Sequence, residues 1–376
     1  MKLGVDLSIQ DELNEFHPIY RYDGKEIEPF SFFKNHSNID VVRLRLWHHP
    51  FDENGRPYGG GTNDIGCLLR LARKAKEVGL KVLVDFHYSD FWTDPSRQLP
   101  PKAWKNLSLE ELKIELYKYT KNVLESLKKE DIDVIAVQVG NEITNGMIFP
   151  FANVWEEKDG MGGFYNHVSL FNEGYRAVKE VYQDAKVICH LEHSGSHDMQ
   201  NYYFSKMISC GAKFDVIGES YYPYWHGGFP LFIDNIIKLK EKFDKEIWVV
   251  EMGYEYETSR LANHHFEYKN MGGDEFNVGN LSGRIPFPIN KEGQKNYLKA
   301  FLSLCKSLGI GMVFYWEPTW IFLPHQGWAK EAGQIYLGLS PEEASNDWAN
   351  ETLFDFEGNA CPAIDIFTQQ FVDSLE

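Results

Sequence analysis

Strand-like and helix-like stretches alternate along the chain. Runs with apolar, often β-branched residues at alternate or successive positions read as buried strands. They fall near 3–8 (LGVDLS), 40–46 (DVVRLRL), 81–87 (KVLVDFH), 133–141 (DVIAVQVGN), 186–192 (KVICHLE), 215–222 (DVIGESYY), 247–252 (IWVVEM) and 311–317 (GMVFYWE). Amphipathic stretches at 65–78, 108–128, 169–182, 233–243 and 291–308 carry the helical period, and Val78-Gly79, Lys128-Lys129 and Leu308-Gly309 suit helix ends. Eight strands alternating with helices over 376 residues predict an α/β protein, one (β/α)8 TIM barrel spanning 1–376 as a single domain with extended βα loops. A doubly wound open sheet would carry a glycine-rich phosphate loop after its first strand, and Asp6-Leu7-Ser8-Ile9-Gln10 is not one.

Barrels of this kind collect their chemistry at the C-terminal strand ends. The fourth predicted strand stops at a glycine, an amide and an acid, Gly140-Asn141-Glu142, and the seventh carries Glu251 near its end. A lone carboxylate at a strand end is often a helix cap or an ion-pair partner. Two of them, at corresponding ends and among aromatic residues, match the paired carboxyl groups of glycoside hydrolysis. Arg43 and Arg45 share one strand face, and an inward arginine must be paired. Arg45, nearer the strand end, is the expected partner of an ionised catalytic carboxylate, while Arg43 equally suits a structural ion pair.

The third strand points Asp85 and His87 the same way, and Trp92 and Asp94 follow, the latter before a proline where it caps a turn. Glu192 and His193 end the fifth strand. Tyr221, Tyr222, Tyr224, Trp225 and His226 form an aromatic loop after the sixth, suited to stacking on sugar rings. Trp316 and Glu317 end the eighth; Pro318 directly after Glu317 favours a structural hydrogen bond over catalysis. Histidines at 48, 49, 87, 190, 193 and 197 raise the possibility of a metal, but metal-dependent barrel hydrolases set two histidines one residue apart on an early strand, and the first strand has none. No catalytic metal is expected, and His87 reads as a hydrogen-bonding residue of the site.

Composition narrows the partners. Aromatic residues make up 15% of the chain, with 20 Tyr and 10 Trp, whose flat faces and polar edges suit sugars. A formal net charge of −17 disfavours nucleic acid and polyanions and leaves neutral substrates. No run of eighteen apolar residues exists, so no membrane span is expected. The start, MKLGVDLS, enters a strand without an apolar leader, which reads as cytoplasmic, or as secreted if a leader has been removed. Five scattered cysteines, Cys67, Cys189, Cys210, Cys305 and Cys361, form no CxxC and read as free thiols.

The stretches VVRLRLWHHPFDENGRPYGGGTND, DFHYSDFWTDPSRQLPPKAW, VQVGNEITNG, SYYPYWHG, FYWEPTW and LFDFEGNACPAI, in this order, resemble family-53 glycoside hydrolases, the arabinogalactan endo-β-1,4-galactanases. The resemblance implies an acid/base at Glu142 after Asn141, a nucleophile at Glu251, and substrate contacts from Arg45, His87, Tyr222 and Trp316, with the Trp225-His226 loop also matching. It implies a neutral β-galactan polysaccharide or oligosaccharide as substrate and no cofactor. Some members carry a calcium loop after the seventh strand; here 271–277 (MGGDEFN) is poor in alternating oxygen ligands, so calcium is not expected. Val250-Glu251-Met252-Gly253-Tyr254 departs from the family's alanine-glutamate-threonine, and the 263–265 insert and 328–348 segment also differ. The mechanism expected is retaining, with Glu251 held by Arg45 and Asn141 bonding the substrate 2-hydroxyl. Its rivals are a related retaining β-glycanase acting on mannan, xylan or glucan, a non-catalytic carbohydrate-binding barrel, and a metal-dependent amidohydrolase. Oligomeric state is not legible.

Overall fold

Eight parallel strands close on themselves: β1 (Lys2–Asp6), β2 (Val41–Leu46), β3 (Lys81–Phe86), β4 (Val134–Val139), β5 (Lys186–Leu191), β6 (Val216–Tyr221), β7 (Glu246–Met252) and β8 (Met312–Tyr315). Each pairs with its neighbours in sequence and β8 pairs with β1, so no strand edge is left open. The computed structural model describes residues 1–157, 162–257, 287–342 and 345–375, so the calcium stretch 271–277 and the 263–265 insert lie outside the described residues.

A helix follows every strand: α1 (Pro29–Asn35), α2 (Ile65–Glu77), α3 (Leu109–Lys129), α4 (Gly163–Val181), α5 (His197–Ser209), α6 (Phe229–Lys242), α7 (Lys291–Ser307) and α8 (Gln369–Ser374). Their starts are written locally. Asp64 accepts from the Cys67 amide ahead of α2, Ser108 and Glu111 cap α3 reciprocally, and Asn290 accepts from the Gly293 amide ahead of α7. Among the described residues no helix is long and apolar enough to cross a membrane. All five cysteines are free, and four are buried.

The interior has two storeys. Val41, Leu83, Ala136, Ile188, Val216, Trp248, Val250, Met312 and Phe314 plug the lower barrel. Gly4 belongs there because a Cβ would stand 2.3 Å from the Phe314 ring. Two positions further along β2, β3, β4 and β5, alternation replaces these apolar side chains with Arg43, Asp85, Gln138 and His190, all buried. A polar layer therefore roofs the apolar plug.

Strand β7 breaks the alternation where it matters. Trp248 and Val250 face inward, so strict alternation would turn Glu251 out toward the helices. The β6–β7 register shifts from Glu219↔Val249 to Ser220↔Glu251, which leaves Val250 unpaired as a bulge. The extra residue re-aims Glu251 into the barrel.

Candidate active site

The loops above the polar layer enclose a cleft of about 760 Å³. Ten residues singled out from the sequence line it, Glu142 and Glu251, Arg45 and His87, Trp92 and Asn141, Tyr222, Trp225, His226 and Trp316, whereas Asp85, Tyr221, Tyr224 and Glu317 lie behind its wall. Their arrangement differs from expectation in one important respect.

Arg43, not Arg45, holds Glu251. Its Nη2 donates to Glu251 Oε1 at 2.6 Å, to Asp85 at 2.8 Å and to Asn141 Oδ1 at 3.1 Å; Nη1 reaches Asp6 at 2.6 Å and Nε reaches Gln138 at 2.7 Å. Burial opposes the guanidinium's charge, but Asp85, Glu251 and Asp6 outweigh it and raise its pKa. Arg45 lies one step higher, where Nη1 donates to Glu317 Oε1 at 2.7 Å and Nη2 to the Gly60 carbonyl at 3.1 Å. Its guanidinium carbon stands 4.1 Å from the centre of the Trp92 ring. Barrel strands are tilted, so nearness to a strand end does not set the level a side chain reaches; Arg43 is level with Asp6, its register partner on β1. Glu317, which also accepts from the Ile9 amide at 3.0 Å, is committed to Arg45 and the β1 loop.

Glu142 sits on strained backbone, with φ at 48°, where the chain turns from β4 into the short helical turn Ile143–Asn145. Its Oε1 accepts from the Ser220 hydroxyl at 2.8 Å. Behind Ser220 the hydrogen-bond direction is determined. His190 Nδ1 is 2.9 Å from Gln138 Nε2 and 3.3 Å from the Glu142 amide, both donors, so the ring proton lies on Nε2 and points to Ser220 Oγ at 2.8 Å. Burial, followed by the Arg43 charge, drives the His190 pKa well down and keeps the ring neutral. Ser220 thus receives from His190 and gives to Glu142.

Glu142, His190 and Glu251 each place a ligating atom within 4.8 Å of the others. Such a set has the composition of a cation site, yet its members are already engaged: Glu251 with Arg43, His190 with Gln138 and Ser220, Glu142 with Ser220. Arg43 supplies the positive charge a metal would bring. The two carboxyl groups have unlike surroundings. Burial pushes Glu251 up to about 7 against the pull of Arg43. Among the described residues no cation pairs with Glu142, and burial, then the Glu251 and Glu192 charges, raise it well above the carboxylate range.

The remaining residues form walls. Asn141 Nδ2 donates to the Thr93 carbonyl at 2.9 Å, which leaves its second amide hydrogen unused by these bonds. His87 accepts from the Thr93 amide on Nδ1 at 3.1 Å, so its Nε2 proton faces Asp85 at 3.1 Å. Tyr222 brings its hydroxyl to 3.4 Å from Glu251 Oε2, and His226 fixes Tyr222 by accepting its amide on Nδ1 at 3.0 Å. Trp316 packs against Trp92, Trp320 and Trp348, and Trp225 stands 47% exposed at the rim. Asp94 caps the turn at Ser96 as expected. Trp328 and Trp348 also line the cleft and were not anticipated, because they arrive from a segment without strand or helix periodicity.

The sequence pattern defining glycosyl hydrolase family 53 matches residues 2–367. The chain belongs to this family. It is 33% identical to the endo-beta-1,4-galactanase of Bacillus subtilis (strain 168) over 99% of its own length and 86% of that protein. With the arabinogalactan endo-beta-1,4-galactanase of Cellvibrio japonicus it shares 31% identity over 100% of its length and 92% of that protein. The solved family-53 catalytic domain of Ignisphaera aggregans superposes with a TM-score of 0.85 at 33% identity, covering 97% of this chain and 94% of that one. This family-53 hydrolase is thus a glycosidase built on the (β/α)8 barrel its hydrophobic pattern predicts.

Proposed function

We propose that this family-53 hydrolase is an endo-β-1,4-galactanase that works with retention of configuration, with Glu251 as nucleophile and Glu142 as acid/base. The observation that carries this reading is the close approach of two carboxyl groups of unlike environment at the centre of one cleft. An atom-to-atom limit of 4.8 Å agrees with the roughly 5–5.5 Å of retaining enzymes and falls short of the ~6.5–9.5 Å that an inverting enzyme needs for its water. Galactan as substrate draws on the Bacillus and Cellvibrio relatives. A net charge of −17 agrees with a neutral glycan.

Each step follows from the hydrogen bonds. Arg43 occupies Glu251 Oε1, which leaves Oε2, beside the Tyr222 hydroxyl, to attack the anomeric carbon. Ser220 donates into Glu142 Oε1, so the acid's proton rides on Oε2 and goes to the departing glycosidic oxygen. Once Glu251 is esterified its charge is gone. The principal charge raising Glu142 disappears with it, and Glu142 now has the lower pKa of a general base that activates the incoming water.

Reducing-sugar release from β-1,4-galactan, mannan, xylan and cellulose tests the substrate assignment. Activity on galactan about 100-fold above the others is expected; preference for another glycan would overturn galactan and leave the two-carboxyl chemistry standing. Ser220→Ala tests the proton placement. Losing that donor raises the Glu142 pKa further, so the alkaline limb of kcat/KM should move to higher pH while kcat drops about 10- to 100-fold. A fall in rate with no movement of the limb would reduce Ser220 to a packing role.

A further inference from the structure

Among the described residues four large aromatic side chains are strongly exposed: Trp225 at the cleft rim, and Trp155, Tyr165 and Tyr202 at 46%, 76% and 45%. Scattered surface aromatics need no explanation, but Trp155 and Tyr202 are not scattered. Their rings stack at 5.6 Å between centroids and 18° between planes. Phe164 meets both edge-on, at 87° to Trp155 and 73° to Tyr202, and leans in turn on the fully buried Tyr203. The pair is backed by core and open to solvent.

Trp155 is also tied to the cleft. The loop after Glu142 forms an antiparallel ribbon, Gly146–Met147 against Ala152–Asn153, which delivers Trp155 back beside the turn that follows the acid. There its indole Nε1 donates to Asn145 Oδ1 at 2.5 Å, and Asn145 Nδ2 donates to the carbonyl of Pro95, a residue of the cleft wall, at 2.8 Å. Two hydrogen bonds therefore link the outer aromatic pair to the wall of the cleft.

We propose that Trp155 and Tyr202 form an outer platform for the same neutral glycan chain that enters the cleft, engaging polymer that runs past the Glu142 side. The identity of that glycan rests on the galactan reading; the platform itself rests on the aromatic geometry and its continuity with the cleft wall. Planar indole and phenol faces suit the apolar C–H face of a pyranose, and Lys206 Nζ, 5.6 Å from the centre of the Tyr202 ring, adds a hydrogen-bond donor for sugar hydroxyls at its edge. A chain held at two places on one protein binds more tightly than at either alone, so the platform acts on polymer affinity.

The test uses the full chain carrying Glu142→Gln, so that polymer stays intact, electrophoresed through gels containing β-1,4-galactan, mannan or xylan. Adding Trp155→Ala, Tyr202→Ala or both should weaken retardation by galactan about fivefold. Trp155→Phe, which keeps an aromatic face, should recover most of the loss and shows that the effect is not misfolding. Undiminished retardation in the double variant overturns the platform. If the parent is retarded by mannan or xylan and not by galactan, the galactan reading fails, and the same variants decide the platform in whichever gel retards the parent. Should Trp155→Ala instead convert a dimer into a monomer in sedimentation without changing retardation, the pair is a self-contact and the proposal falls.

Discussion

Glu251→Ala is expected to lower kcat on galactan about 10^4-fold or more, and Glu142→Ala about 10^3-fold, because the first removes the bond-forming atom and the second only the proton that eases departure. Added azide separates the two roles. In Glu251→Ala the anion fits the space the carboxylate vacated and attacks from the same side, giving an α-galactosyl azide. In Glu142→Ala it replaces water on the glycosyl-enzyme and gives the β-azide, since that second displacement again inverts at carbon 1. An aryl galactoside with a good leaving group should restore the first step of Glu142→Ala and none of Glu251→Ala. Reversed azide products would exchange the two assignments. Stability moves the other way. A carboxyl whose folded pKa is raised contributes stability that is present below its ordinary value and lost as pH rises through the raised one, so Glu142→Gln should melt higher than wild type above neutral pH. An enzyme less active yet more stable is the mark of a group kept for chemistry.

How much of this could be read from the chain depends on what each feature required. The eight strands were legible because a buried parallel strand is apolar on both faces, and the two acids because no strand interior selects Asn141-Glu142 or Glu251. Helix α5 was not anticipated, although its buried residues, Gln200, Tyr203, Phe204 and Met207, follow the helical period. The first of them is polar, and it is buried because its Nε2 bonds Glu219 at 2.7 Å and its Oε1 accepts from Asn235; a stripe that opens on glutamine hides from a hydrophobicity pattern. α6 begins at Phe229, earlier than expected at 233, because Pro230 sits in the first turn, where proline is favoured. The inward aim of Glu251 was inferred from its type, whereas alternation alone gives the wrong face and a bulge formed with β6 corrects it. The choice between Arg43 and Arg45 was beyond the sequence for a related reason: it turns on the relative heights of β1, β2 and β7, and strand tilt appears only when the barrel closes. Ser220 and His190 are ordinary residues in a strand list; their role comes from lying at one level beside Gln138 and Glu142.

Arg43→Met should be the most damaging change away from the carboxyl pair. One guanidinium satisfies Asp6, Asp85 and Glu251 and steadies Gln138 and Asn141, all at the same depth, so its loss strands three acids in the barrel. Breaking a buried ion pair by removing one partner costs about 3–5 kcal/mol, and three acids here share the partner that is lost. Arg43→Lys is expected to be nearly as poor, since an ammonium is a single point donor and cannot reproduce the fork that spans β1, β3 and β7. The variant's stability deficit should widen with pH. Glu251, already pushed up to about 7 by burial, rises further once the arginine's pull is removed, and a raised carboxyl stabilises the fold in acid and stops doing so as pH climbs through its value. The acid limb of kcat/KM should move to higher pH for the same reason, because the nucleophile must be ionised to attack. Arg45→Met provides the contrast: it frees Glu317 and the Trp92 face but leaves Glu251 held by Arg43, the larger of the two positive charges acting on it, so it should raise KM and move the acid limb less than Arg43→Met does. If Arg45→Met moved that limb further than Arg43→Met did, the ion pair that tunes the nucleophile would be the upper one, and the assignment of Arg43 would be wrong.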